Sequence, residues 1–310
     1  MKKNSHTNET TKKEFLARVA RMYYILGMNQ KEIAQQLGIG RSSVGRFLSE
    51  ARNEGVVQIQ IGYNANVLRN TDSEHTLIDK YNLKDAVVVK RLPGNNFENI
   101  VVDYMNSILP FQGRVGLTGG HTLYQVGQHM HTCESRPDLK LVQLSGNAGN
   151  LPSTSVIQSW SQALKAEPVY IHAPAFANDK ATKEIFMQQM QIKKSFDEIK
   201  ELDMLVVAIG TSDRQATILQ LGTIADLTSD KLKKNSVGDI SYHFFDEQGH
   251  FSMHDISDRL VGASIEDLLT VPVRAAIAYG DNKIPAIKAA LVGRLVNILL
   301  TDEDTAKELL

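Results

Sequence analysis

The chain holds one cysteine, Cys133, in 310 residues, so it cannot form an intramolecular disulfide. No stretch approaches the roughly 18 consecutive apolar residues that a membrane-spanning helix needs. Met1 to Thr11 is polar, lacks the apolar centre of a secretion signal, and reads as a disordered tail. These absences predict a cytoplasmic protein with no membrane partner. Enzyme signatures are also lacking. There is no Gly-x-Ser-x-Gly elbow and no Walker phosphate loop. His129, His131, Cys133, His243, His250 and His254 show neither His-Glu-x-x-His nor paired Cys-x-x-Cys spacing, so no metal and no cofactor are expected. No Asp/Glu–His group stands out as a general-base arrangement.

A strong charge of either sign is missing overall, since the net charge is −1. The average hides an asymmetry. Residues 1–61 carry ten Lys/Arg against five Glu, a charge of +5 that leaves −6 for the remainder. A basic head on an acidic body is the footprint of a chain whose head alone meets phosphate.

The head explains its charge. In Asn29 to Ile61, NQKEIAQQLGIGRSSVGRFLSEARNEGVVQIQI, the residues Ile33, Ala34 and Leu37 form one apolar helical stripe. Gly38-Ile39-Gly40 breaks that helix. A second helix follows from Arg41 with Val44, Phe47, Leu48 and Ala51 on one face, and Arg41, Ser42, Ser43 and Arg46 on the other. Short hydroxyls and long cations are the side chains that reach base edges and phosphates in a major groove, with Gln30 and Lys31 placed to meet backbone. The pattern predicts a helix-turn-helix followed by an exit strand, Val57 to Ile61, and so a double-stranded DNA partner. A preceding helix is expected over Lys12 to Leu26, with Phe15, Val19, Met22 and Tyr23 on its apolar face. Of Tyr23 and Tyr24, one ring is read as core and the other as core or phosphate contact.

Beyond residue 61 the pattern changes to short apolar strands alternating with helices. Strands are predicted at Asp85–Lys90, Arg114–Leu117, Lys140–Leu144, Val169–His172, Met204–Ile209, Ala275–Tyr279 and Val296–Leu300. Such alternation implies α/β architecture: a doubly wound, mainly parallel sheet covered on both faces. Three domains of organisation follow: a tail over 1–11, a helix-turn-helix domain over 12–61, and a ligand-binding and oligomerisation domain over 62–310.

Open α/β sheets bind ligands beyond the carboxyl ends of their strands. Several strands here end in small, polar, Gly-containing loops: 116–122, 145–149, 210–212 and 280–283. In the first, Gly119 and Gly120 let backbone amides approach an anion, Thr118 and Thr122 add hydroxyls, and a helix begins with its positive end there. Either an anion site or a tight packing turn satisfies that sequence. Ser145, Gly146 and Thr211 occupy the matching positions of two other loops. Lys283 follows a strand-end glycine, either to neutralise a phosphate or carboxylate or as a solvated lysine. In Ser236 to Asp246, SVGDISYHFFD, Asp246 closes an apolar strand and is the candidate acceptor of sugar hydroxyls, whereas Asp239 reads as a cap or turn residue.

The chain resembles the SorC family of bacterial sugar-responsive transcriptional regulators over nearly its whole length. The resemblance rests on the helix-turn-helix, then VGLTGGHT, LVQLSG, LDMLVVAIGT, SVGDISYHFFDEQG, AIAYGDNKIPAIKAAL and ILLTDEDTAKELL, in that order. It implies a sugar-phosphate-binding domain similar to sugar-phosphate isomerases, a phosphorylated sugar effector, and a homo-oligomer, usually a tetramer. It implies that Thr118, Gly119, Gly120 and Thr122 hold phosphate, that Asp246 contacts sugar, and that Lys283 is the basic partner. Two departures stand out: Gly119-Gly120 replaces an aromatic-Gly pair, and the loop from Ser145 offers no lysine for an imine. The competing expectation is a sugar-phosphate isomerase or deaminase carrying a DNA-binding head.

Overall fold

The computed structural model describes residues 4–57, 68–92, 96–149, 153–214, 216–222, 224 and 227–310. The chain forms two compact units, Met1–Tyr63 and Asn64–Leu310.

The first unit is three helices, α1 (Asn4–Tyr24), α2 (Gln30–Leu37) and α3 (Arg41–Asn53). Helix α1 begins at Asn4, so residues 4–11 continue a helix where a disordered tail is expected; neither Gly nor Pro interrupts them. Helix α2 is framed as its sequence dictates. Asn29 and Glu32 form a reciprocal capping box, and Gly38 ends the helix in the left-handed region at φ 66°. Leu16, Val19, Ile33, Val44, Leu48 and Ala51 make the buried centre, with Phe15, Leu37 and Phe47 packed around it. Lys12 bridges from α1 to Glu50 of α3 and to Glu54 just past its end. Tyr23 and Tyr24 are both exposed and stack edge to face at 5.0 Å, so neither ring joins the core as expected. Of the expected exit strand, residues 58–61 lie outside the described residues.

The second unit is built on a seven-stranded sheet: β1 (Asp85–Val89), β2 (Gln112–Leu117), β3 (Asp138–Gln143), β4 (Glu167–Val169), β5 (Met204–Val207), β9 (Val273–Ile277) and β10 (Ile298–Asp302). A smaller antiparallel sheet holds β6 (Gly210–Thr211), β7 (Gly238–Ile240) and β8 (His243–Phe245). The large sheet is ordered β1-β10-β9-β5-β2-β3-β4 and every pairing in it is parallel. Alternate side chains feed two cores. Val88, Leu205 and Leu299 pack with Phe196, Ile199 and Ile287 on one face; Val87, Val206 and Leu300 pack with Ile100, Leu123 and Trp160 on the other. Trp160 is fully buried and donates its indole N–H to the Leu123 carbonyl at 2.9 Å. Truncating it would cost about 3–5 kcal/mol.

The strand ends lie within two residues of the expected ones, apart from the fourth strand. The fourth strand ends at Val169 rather than starting there. The segment from Lys180 to Ile199 forms two helices, Lys180–Gln188 and Met190–Ile199, because Gln189 between them adopts extended geometry. At the free edge of β1, Arg69 bridges to Val89, and the Asn70 N–H donates to the Val88 carbonyl at 2.8 Å. Arg69 also pairs with the buried Glu74, whose carboxylate accepts from the Val88 N–H.

Topology places one crevice. From β2 the chain steps outward through β3 to β4, then returns to β5 on the other side of β2 and continues to β9 and β10. The β2–β5 junction is therefore the point where strand order reverses, the position at which open α/β sheets part their loops to admit a ligand.

Candidate functional site

A cavity of about 200 Å³ opens at that junction. Its floor is the carboxyl ends of β2 and β5. Thr118, only 4% exposed, uses its hydroxyl to accept from the Ala208 N–H at 2.9 Å, tying the two strand ends together. Gly120 follows with φ 124° and ψ 150°, a region that residues with a Cβ avoid, and an added Cβ would crowd Ala208. The helix His121–His129 begins there with no side-chain cap, which leaves its first amides available.

A second strand end repeats the device. Gly280 has φ 106° and ψ 145°, and a short turn Asp281–Lys283 without a side-chain cap leads into the helix Ile284–Val292. Asn282 and Lys283 line the same cavity. Burial pulls the Lys283 ammonium below its ordinary value, and the nearby Asp239 opposes that fall. Lys283 is thus a partly enclosed cation beside uncapped amides, an environment that favours an anion.

The opposite wall comes from the small sheet. Asp239 in β7 faces Gly210 in β6; a Cβ at Gly210 would overlap the Asp239 carboxylate. The carboxylate accepts from the Tyr242 N–H at 2.9 Å. Loss of solvent pushes the carboxyl up to about 6, against the opposing pull of that hydrogen bond and of Lys283. Ser241 and Tyr242 form the two-residue link between β7 and β8, both in the left-handed region at φ 52° and 66°.

Of the residues proposed from sequence for the effector, Thr118, Gly119, Gly120, Thr122, Ser145, Thr211 and Lys283 line this one cavity. Two do not. Gly146 lies beside the Ala173–Pro174 backbone, where a Cβ would sit 2.5 Å from the Pro174 carbonyl oxygen; it is a packing glycine. Asp246 turns back on its own loop and accepts from the Gln248 and His250 amides, each at 2.9 Å. The acid in the cavity is Asp239, read from sequence as a turn residue. His121, Ser241 and Tyr242 also line it and were not singled out. Among the described residues, no group of three His, Cys, Asp or Glu could hold a metal ion.

In the first unit, Arg41, Ser42 and Arg46 are exposed and Ser43 is half-buried on the first turns of α3. The Arg46 guanidinium lies 5.4 Å from the Phe47 ring centre. Lys31 is exposed on α2, while Gln30 is half-buried and its amide oxygen lies 3.7 Å from where a Cβ on Gly45 would stand.

Comparison with known proteins agrees with this architecture. Residues 65–310 match a family model described as "Putative sugar-binding domain". The deoxyribonucleoside regulator of Bacillus subtilis (strain 168) is 29% identical over 96% of this chain and 97% of its own length. The transcriptional regulator LsrR of Enterobacter sp. (strain 638) is 30% identical over 97% of this chain and 94% of its own. The crystal structure of the full-length sorbitol operon regulator SorC from Klebsiella pneumoniae superposes with a TM-score of 0.71 at 25% identity, covering 96% of this chain and 98% of that one. No helix among the described residues is long and apolar enough to cross a membrane. A helix-turn-helix head, a parallel sheet with a cavity at its switch point and these relatives converge: the chain belongs to this sugar-binding-domain family and is a sugar-responsive transcriptional regulator of the SorC type.

Proposed function

We propose that the effector is a phosphorylated sugar or sugar alcohol, bound in the cavity between β2 and β5, and that it alters binding of the head to double-stranded operator DNA. The observation that carries this reading is the convergence of two uncapped, glycine-started helical turns and Lys283 on one cavity. Phosphate sits against the amides after Gly120, the Thr122 hydroxyl and Lys283. Asp239, at the other wall, accepts hydroxyls of the sugar. Arg41, Ser42, Ser43 and Arg46 read the major groove, with Gln30 and Lys31 on the backbone. The protein acts in the cytoplasm as a homo-oligomer, a dimer or tetramer whose paired heads address half-sites one helical turn or a multiple apart. Coupling is reciprocal, so an effector that loosens DNA is itself bound less tightly on DNA.

Selection of genomic fragments by the protein, followed by gel-shift titration with sugar phosphates, tests the reading. One phosphorylated sugar should shift the DNA affinity, and its unphosphorylated parent should not. Indifference of DNA affinity to every sugar phosphate would reject it.

One observation favours a second reading. A carboxyl raised to about 6 beside an amine lowered by burial is the tuning used for proton transfer. Turnover of a sugar phosphate that Asp239→Asn abolishes would make the body an isomerase-type enzyme. The relatives carry regulator names, and the non-enzymatic reading is the one proposed.

A further inference from the structure

We propose that Thr305 is a positioning residue for effector binding: its buried hydroxyl holds the Gly280–Lys283 turn in the shape that presents Lys283 to the phosphate. The inference rests on the sugar-phosphate reading above and adds to it the group that supports the site from behind.

Thr305 does not line the cavity. It is fully buried in the helix Glu303–Leu309, which starts where β10 ends. Its Oγ1 accepts from the Gly280 N–H at 2.9 Å. Gly280 opens the turn whose Asn282 and Lys283 line the cavity. Two hydrogen bonds hold Gly280. One is that from its N–H to Thr305; in the other its carbonyl accepts from the Lys283 N–H at 2.9 Å. At φ 106° and ψ 145° its backbone sits in a region that persists only where the surroundings over-determine it. The second bond lies within the turn and moves with it. Of the two, only the Thr305 bond ties the turn to a separate element.

That element is a fixed post. The Thr305 N–H donates to the Asp302 carboxylate at 2.8 Å and caps the helix. Ala306 and Leu309 are buried, and the Tyr81 hydroxyl donates to the Leu309 carbonyl at 2.7 Å. The turn is lightly held by comparison, with Asp281 and Asn282 exposed. The other glycine turn has a matching device close by, where the Thr118 hydroxyl accepts from the Ala208 N–H. Removing the Thr305 acceptor leaves the fold intact, because Gly280 is half-buried and its freed N–H can meet water. The turn then populates other shapes, and phosphate must select the competent fraction, so the apparent affinity falls by that fraction. One lost hydrogen bond weakens binding by up to about tenfold.

The test uses the full chain. Calorimetric titration with inorganic phosphate, ribose 5-phosphate, glucose 6-phosphate, fructose 6-phosphate and glucitol 6-phosphate compares the wild type with Thr305→Val, Thr305→Ala and Thr305→Ser. Valine keeps the buried volume and loses the acceptor; serine keeps the acceptor and loses a methyl group. A purely structural role therefore predicts that valine is the milder change, and the positioning role predicts that serine is. Hydrogen exchange of the peptide holding Gly280, measured without ligand, reads the bond itself. The expected result is that Thr305→Val and Thr305→Ala bind inorganic phosphate and the tightest sugar phosphate about five- to tenfold more weakly and exchange faster at Gly280, while Thr305→Ser stays near the wild type in both. Wild-type phosphate affinity in Thr305→Val, or a loss in Thr305→Ser as large as in Thr305→Val, would overturn the role of Thr305 and leave the sugar-phosphate reading intact. Failure of every sugar phosphate to bind the wild type would overturn that reading, and this inference with it.

Discussion

Replacing Asp239 by asparagine should stabilise the ligand-free protein while weakening its hold on effector. In the folded chain the carboxyl is raised from 3.8 to about 6, mainly by loss of solvent. A raised carboxyl means that the folded state binds the proton more tightly than the unfolded chain does. The ionised form therefore opposes folding, fully so above pH ~6 and not at all below about pH 3.8. The gap corresponds to at most about 3 kcal/mol. Asparagine removes the charge and keeps an oxygen for the Tyr242 N–H. A gain of about 1–3 kcal/mol at pH 7.5 would raise Tm by roughly 2–12 °C for a unit of this size. The sign can be checked through pH. The difference between variant and wild type should be constant from pH 7 to 8 and about halved at pH 5, because wild-type Asp239 has by then taken up its proton in the folded state. Thermal unfolding of both proteins across that range is the assay. A variant no more stable than wild type at pH 7.5, or a difference independent of pH, would refute the account of Asp239 as a desolvated carboxylate.

Three further predictions concern other parts of the molecule. Gly120→Ala forces a Cβ into a backbone region reserved for glycine and against Ala208; it should cost about 1–3 kcal/mol in chemical denaturation and abolish stabilisation by phosphate. Lys283→Ala should remove stabilisation by phosphorylated sugars in thermal shift, and Lys283→Arg should restore only part of it, since a planar guanidinium does not reproduce the compact point charge of an ammonium. Arg46→Ala should weaken binding to selected DNA by roughly ten- to a hundredfold in gel shift, with the response to effector unchanged.

What the sequence disclosed depended on how local the determining physics is. The head was legible because its signals lie within a few residues: Asn29 and Glu32 cap α2, Gly38 ends it, and the apolar stripe is continuous. The strands of the large sheet were legible because burial on both faces makes them uniformly apolar. The glycine-loop wall of the cavity followed, since glycine at a strand end before a helix is itself a local signal. The choice between Asp239 and Asp246 was not local. Both acids follow apolar residues in one segment, and the deciding fact is a hairpin at Ser241–Tyr242 that carries neither Gly nor Asn to announce it. Once that hairpin forms, β7 points Asp239 inward and Asp246 closes its own loop. The break at Gln189 was hidden for the same reason, having no proline or glycine to mark it. The exposure of Tyr23 shows the complementary limit: apolar periodicity finds the buried face of α1 but not where its last turn leaves the core.

The most direct test of the account is a thermal-shift comparison of phosphorylated sugars and sugar alcohols with their unphosphorylated parents, on wild type and Lys283→Ala. A ligand that binds only the folded state must raise its stability. The account predicts that at least one phosphorylated compound raises Tm, that its parent does not, and that Lys283→Ala erases the shift. Equal stabilisation by parent and phosphorylated forms, or a shift that survives in Lys283→Ala, would contradict it.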